Sequence, residues 1–133
     1  MADDYPIADL PTPEPSYEPE RVVELQLDAL ADNDTPFENA GIGTAYNFAS
    51  PANRRATGPF DRFVRMVNGP QYAPMIDHVE AVAGPVEISD TTAEQRVTLT
   101  GSEGRTVTYA FGLSEQSAGP LDGCWLTDRV VVE

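Results

Sequence analysis

Apolar and polar positions along the chain repeat with two different periods, and the change falls near Pro74. Val23, Leu27 and Leu30 recur on one helical face, with Val22, Leu25 and Ala29 beside it, which is the spacing of an amphipathic helix. Pro19 suits a first turn, and Glu18 and Glu20 place negative charge at the positive end of the helix dipole. The pattern predicts a first helix over Pro19 to Ala31, stopped by Asn33-Asp34-Thr35-Pro36. Between Phe37 and Ala49, the residues Ile42, Ala45, Tyr46, Phe48 and Ala49 predict a short second helix. Gly41 and Gly43 weaken it by about 1 kcal/mol each relative to Ala. Gly58-Pro59 starts and Gly69-Pro70 stops a third helix that carries Phe60, Phe63, Val64 and Val67, with Asp61 and Arg65 as a supporting i,i+4 pair.

Beyond Pro74 the period becomes two. His78 to Ala83 and Val86 to Ile88 read as one strand interrupted by Gly84-Pro85, which implies an edge position or a bulge. Ala93 to Thr100 alternates, Gly101 to Gly104 forms a hairpin loop, and Arg105 to Leu113 follows with Val107, Tyr109, Phe111 and Leu113 on one face. A last strand runs from Cys124 to Val132. In strict alternation, Trp125 and Val131 lie opposite Cys124, Leu126 and Val130, so one of these sets points away from the main core. Three helices ahead of a four-strand antiparallel meander make an α+β fold.

The N-terminal residues stand apart. Five of the twelve prolines and six of the acids fall in the first twenty residues, which describes an acidic, Pro-rich leader over 1–15 ahead of a single domain over 16–133. A solvated leader is the expectation, so its deletion should leave the fold intact.

Composition changes the picture in one respect. The chain has 133 residues, a formal net charge of -14, 22 acids and 8 cations, and every cation is Arg. That balance excludes nucleic acid, whose binding rests on cations that neutralise phosphates. It also disfavours an anionic membrane surface, and no apolar run reaches the roughly 18 residues of a membrane helix. A cytoplasmic protein is expected, with Cys124 the single cysteine and no disulfide. Acid excess without lysine resembles the proteins of salt-loving archaea. In molar salt the Debye length is only ~3 Å, so self-repulsion is screened and stability should rise with KCl.

Three phrases carry a more specific likeness: QLDALADND, GIGTAYNFASPANRRATGPFDRFVRMV and GPLDGCWLTDRVVV. They resemble a domain of unknown function found in bacteria, plants and haloarchaea, grouped with the nuclear transport factor 2-like (cystatin-like, SnoaL-like) superfamily. The resemblance spans Pro19 to Val132 and is most specific from Phe48 to Phe63, then at Trp125. It implies a curved sheet wrapped around the first helix, with a conical cavity between sheet and helices, and it brings no established activity. Relatives commonly place a strand between the second and third helices, where this chain has only the turn-rich Ser50 to Gly58.

Candidate chemistry is sparse. His78 is the only histidine; it can serve as a lone general base near Asp77 or Glu80 but more often starts a strand. Cys124 has no neighbouring cation to lower its pKa and reads as a small core residue. Asp28, Asp32 and Asp34 fail the calcium-loop pattern because Pro36 stands where that loop continues. No dinucleotide, phosphate-loop or nucleophile-elbow motif occurs, so neither metal nor cofactor is expected. Tyr46, Tyr72, Tyr109 and Trp125 can orient a ligand in a conical cavity, although core packing is the commoner role of such residues. Arg54 and Arg55 are a quarter of the cations, adjacent and just ahead of a helix start, where they can hold a small anionic molecule or pair with Asp61 or Glu38. With no inward acid flanked by apolar residues except Asp128 or Glu80, the reading favours a non-enzymatic module that binds a protein partner or forms a homodimer through its sheet. The alternative is a small-molecule lyase or isomerase working in the cavity.

Overall fold

The computed structural model describes residues 7–133. Helix α1 (Pro19–Ala31) follows the expected bounds, with Pro19 in its first turn and Val22, Val23, Gln26, Leu27 and Leu30 buried. Helix α2 (Ala40–Asn47) is almost wholly buried, and its glycines are places of close approach rather than weak points. A Cβ on Gly41 would collide with the Ala29 carbonyl of α1, and one on Gly43 would strike Leu10 of the leader. Asn33 ties the two helices together: its Oδ1 accepts from the Ile42 amide at 3.0 Å, and its carbonyl accepts from Gly41 at 2.8 Å.

The helix count is corrected from three to four. Ser50 to Gly58 is not a plain turn but α3 (Pro51–Thr57), followed by α4 (Phe60–Val67). Both residues that read as turn formers bound the new helix: Pro51 fills its first turn, and Gly58 ends it at φ 84, a left-handed value that suits glycine. The Ser50 hydroxyl caps the helix by accepting from the Asn53 amide at 3.2 Å.

Strands β1 (Glu80–Ser89), β2 (Thr92–Thr100), β3 (Thr106–Glu115) and β4 (Trp125–Val132) form one antiparallel sheet in the order β1-β2-β3-β4. The expected irregularity at Gly84-Pro85 is a bulge between Ala83 and Val86. A second bulge, between Gly112 and Leu113, pairs Leu113 with Thr127 but Gly112 with Arg129. It overturns the strict alternation expected of the last strand, because Thr127 and Val130 now share the face of Leu113 and Phe111 while Arg129 and Val131 take the other. The core joins α1, α2 and α4 to the inner sheet face through Ile42, Phe48, Val97, Leu99, Tyr109 and Phe111.

Candidate functional site

Among the hollows of the described residues, two that border the sheet differ in chemistry. The first is an open groove of about 590 Å³ between α1 and β1. It exists because the β1 positions facing α1 are small: Ala81 pairs with Leu99 and Ala83 with Val97, both on the buried face. Val23, Leu27, His78 and Gln95 line it from the core side, and Glu20, Glu24 and Asp28 from α1. His78 is buried, and its Nδ1 lies 2.8 Å from the Met75 carbonyl. A carbonyl only accepts, so Nδ1 carries a proton and donates it there. Gln95 Nε2 donates to the Gly84 carbonyl at 2.7 Å, which serves the bulged backbone beside Pro85. Its Oε1 is buried without a hydrogen-bond partner, a state that is costly unless something else supplies a donor.

The second hollow is a cavity of about 200 Å³ under α3 and α4, walled by Phe63, Val67, Tyr72, Met75, Phe111 and Val130. Its polar lining includes Asn53, Asp128 and Arg129. Tyr72 stacks on Tyr109 at 6.1 Å between ring centroids. Their hydroxyls donate to the carbonyls of Val130 at 2.7 Å and Gln71 at 2.9 Å, and burial pushes both pKa values up. Two polar side chains of the lining meet at Thr127: Gln26 Nε2 donates to Thr127 Oγ1 at 2.8 Å, and Asn53 Nδ2 to the Thr127 carbonyl at 3.0 Å.

The residues singled out from sequence do not converge on one place. Tyr72 and Tyr109 meet beside the cavity, and His78 lies in the groove. Tyr46 is a core residue, edge-on to Phe60 at 5.4 Å and Phe63 at 5.2 Å. Trp125 is half-buried against the core. Arg54 and Arg55 belong to the last turn of α3 and diverge: the Arg54 guanidinium donates to the Ala49 carbonyl at 2.6 Å, whereas Arg55 is exposed. Cys124 is buried, and its pKa is raised by desolvation first, then by the negative charge of Asp122 and Glu14. Among the described residues no cluster of His, Cys, Asp or Glu could hold a metal ion, and no helix is long and apolar enough to cross a membrane.

Sequence reasoning passed over Gln95, Gln26 and Asn53. A signal was available for the first two, since each is a polar residue on an otherwise apolar face. Such residues are buried only where hydrogen bonds hold them.

These features define a small α+β domain with a buried polar seam at one side of its sheet and an open groove at the other. The chain matches the family described as Domain of unknown function (DUF4864) over residues 15–132, and it belongs to that family. No curated protein and no solved structure matches it.

Proposed function

We propose that the domain is a non-enzymatic module that binds another protein through the β1 side of its sheet. The observation that carries this reading is β1 itself, whose ten residues are all exposed or half-exposed. Among the described residues no segment pairs with its outer edge. Val79, Val82 and Ile88 stand 70%, 59% and 56% exposed, an apolar display on an unpaired edge that invites an added strand. The likeness to the nuclear transport factor 2-like superfamily supports the same reading, because association through uncovered sheet surface is common among those relatives. A photo-reactive residue placed at Val82 should cross-link to one defined protein partner, while the same residue at exposed Asp61 on α4 should not. Equal labelling from both positions, or none from Val82, would overturn the proposal.

A second reading, small-molecule lyase or isomerase chemistry in the cavity, rests on the half-buried Asp128 carboxylate that lines it. The Tyr72 hydroxyl weighs against it, since it donates to the Val130 carbonyl and is not directed at a substrate. A melting-temperature screen with small carboxylates, phosphates and ketones tests this reading. A shift that Asp128→Asn abolishes would favour it over the edge-strand proposal.

A further inference from the structure

We propose that the segment received by β1 is extended and basic, with Arg or Lys at alternate positions, and that its cationic side chains lie in the α1–β1 groove. This rests on the edge-strand reading above and adds the chemistry of the partner. The groove runs from Ser16, just ahead of α1, along the helix to Asp28, and the acids Glu20, Glu24 and Asp28 recur every fourth residue along it. At 1.5 Å per helical residue they stand about 6 Å apart along the axis. Side chains on one face of a strand recur every 6.4–6.8 Å or so. One acid is therefore available for each alternate residue of an extended guest.

The remaining lining points the same way. Among the described residues Arg21 is the one Arg that lines the groove, and it already pairs with Glu24 at 2.7 Å. Glu20 and Asp28 have no ion pair among the described residues. Ser16 donates its hydroxyl to Glu14, and the Gln95 amide nitrogen is engaged by Gly84. The groove's unengaged acceptors are its free carboxylates and the unpartnered Gln95 Oε1. A guest rich in donors matches them, and a guest rich in carboxylates meets only repulsion. Glu80 and Glu87 extend the negative charge along β1, and with a net charge of -14 a second copy of the chain is the least suited occupant. The bulge at Gly84-Pro85 limits regular pairing to Glu80–Ala83, because Pro85 has no N–H to offer.

The test uses the full chain and labelled octapeptides in which Val alternates with Arg, Ser or Glu, read by fluorescence anisotropy. The Arg peptide should bind at least tenfold more tightly than the Ser peptide, and the Glu peptide should not bind. Its affinity should fall as KCl rises. N-methylation of alternate peptide amides and Ala83→Trp in the groove should each weaken it at least tenfold. The triple variant Glu20→Gln, Glu24→Gln, Asp28→Asn should do the same with an unchanged melting temperature. Amide shifts should concentrate at Glu80–Ala83. If the Arg and Ser peptides bind alike and both are sensitive to N-methylation, the basic guest is wrong and the open edge stands. If Arg-peptide binding ignores both N-methylation and Ala83→Trp, the attraction is diffuse charge and both readings fall. If no peptide binds and the Val82 cross-link joins two copies of the chain, the occupant is the chain itself and the basic guest is refuted.

Discussion

Both outer strands of the sheet are rich in Val, yet they meet the rest of the molecule in different ways. Along β4, the segment Phe48–Ser50 takes up the free edge at Thr127, which donates to the Phe48 carbonyl at 2.7 Å and accepts from Ser50 at 2.8 Å. Gln26 and Asn53 then bind the same residue from α1 and α3. Along β1 nothing comparable occurs among the described residues, and Ala81 and Ala83 leave the groove where larger side chains would have met α1. β-propensity alone does not decide whether an edge is closed. The decision lies with what precedes the sheet in sequence, here α3 and its polar residues, and these reach only one side.

The sharpest way to break this contrast is to truncate one apolar residue on each strand. Leu126 of β4 is fully buried, so Leu126→Ala should cost about 2–5 kcal/mol through lost contacts and the cavity left behind. Val82→Ala on β1 should cost less than about 0.5 kcal/mol, as surface changes usually do. Urea denaturation measures both. Similar losses would mean that β1 is covered after all.

A smaller effect is expected from the leader. The part of it over residues 1–6, including Tyr5, lies outside the described residues. Residues 7–15 run beside α2, where the buried Asn47 side chain accepts from the Ile7 amide at 2.7 Å and donates to the Ile7 and Pro11 carbonyls at 3.2 and 3.1 Å. Deleting residues 1–15 removes these three bonds from a buried amide. That should lower stability by about 1–3 kcal/mol, in contrast to the neutral deletion expected of a solvated tail. An unchanged urea midpoint would show that Asn47 finds replacement partners.

How far the sequence anticipates this molecule depends on whether the relevant signal is local. The bounds of α1 follow from its apolar stripe and Pro19, and the β1 bulge from Gly84-Pro85, because each is encoded within a few residues. α3 escaped notice because Pro51 and Gly58 carry the same meaning in a turn as at the two ends of a seven-residue helix; only the Ser50 cap distinguishes the cases. The β4 bulge leaves no Gly or Pro in its own strand. Its trace is in the neighbour, where Gly112 makes room for the Arg129 guanidinium. Gln95 was readable as a polar residue among Ala93, Val97 and Leu99. The groove was not, since the space above Ala81 and Ala83 depends on where α1 passes, and that is set by contacts far away in sequence.

Arg54 and Arg55 sharpen the comparison at about 1 kcal/mol. Arg54 braces the closed side, because its guanidinium holds the carbonyl of Ala49, the residue bridged to Thr127. Arg54→Ala should therefore lower stability by about 1–2 kcal/mol, in the range of a hydrogen bond from a charged donor. Arg55→Ala, at an exposed position, should change it by less than about 0.5 kcal/mol. Equal losses from the two variants would make the pair a single electrostatic unit instead of one brace and one surface charge.

The smallest expected effect is alkaline, and it belongs to the closed side alone. Burial raises the pKa of Tyr72; for Tyr109 burial is again the main cause, opposed by Arg105 and reinforced by Tyr72. A group whose pKa is raised by folding holds its proton more tightly in the folded chain. Its contribution is complete while both states are protonated, below the ordinary tyrosine value of about 10. Above that pH the unfolded chain ionises first, binds fewer protons than the folded one, and stability falls until the folded pKa is passed. Urea midpoints measured from pH 8 to 11 should be flat at first and then decline. The decline should be shallower in the double variant Tyr72→Phe, Tyr109→Phe, and unchanged in Glu24→Gln, which alters only the groove. A double variant with the same slope as the native chain would place the alkaline sensitivity elsewhere and remove the cavity tyrosines from the account.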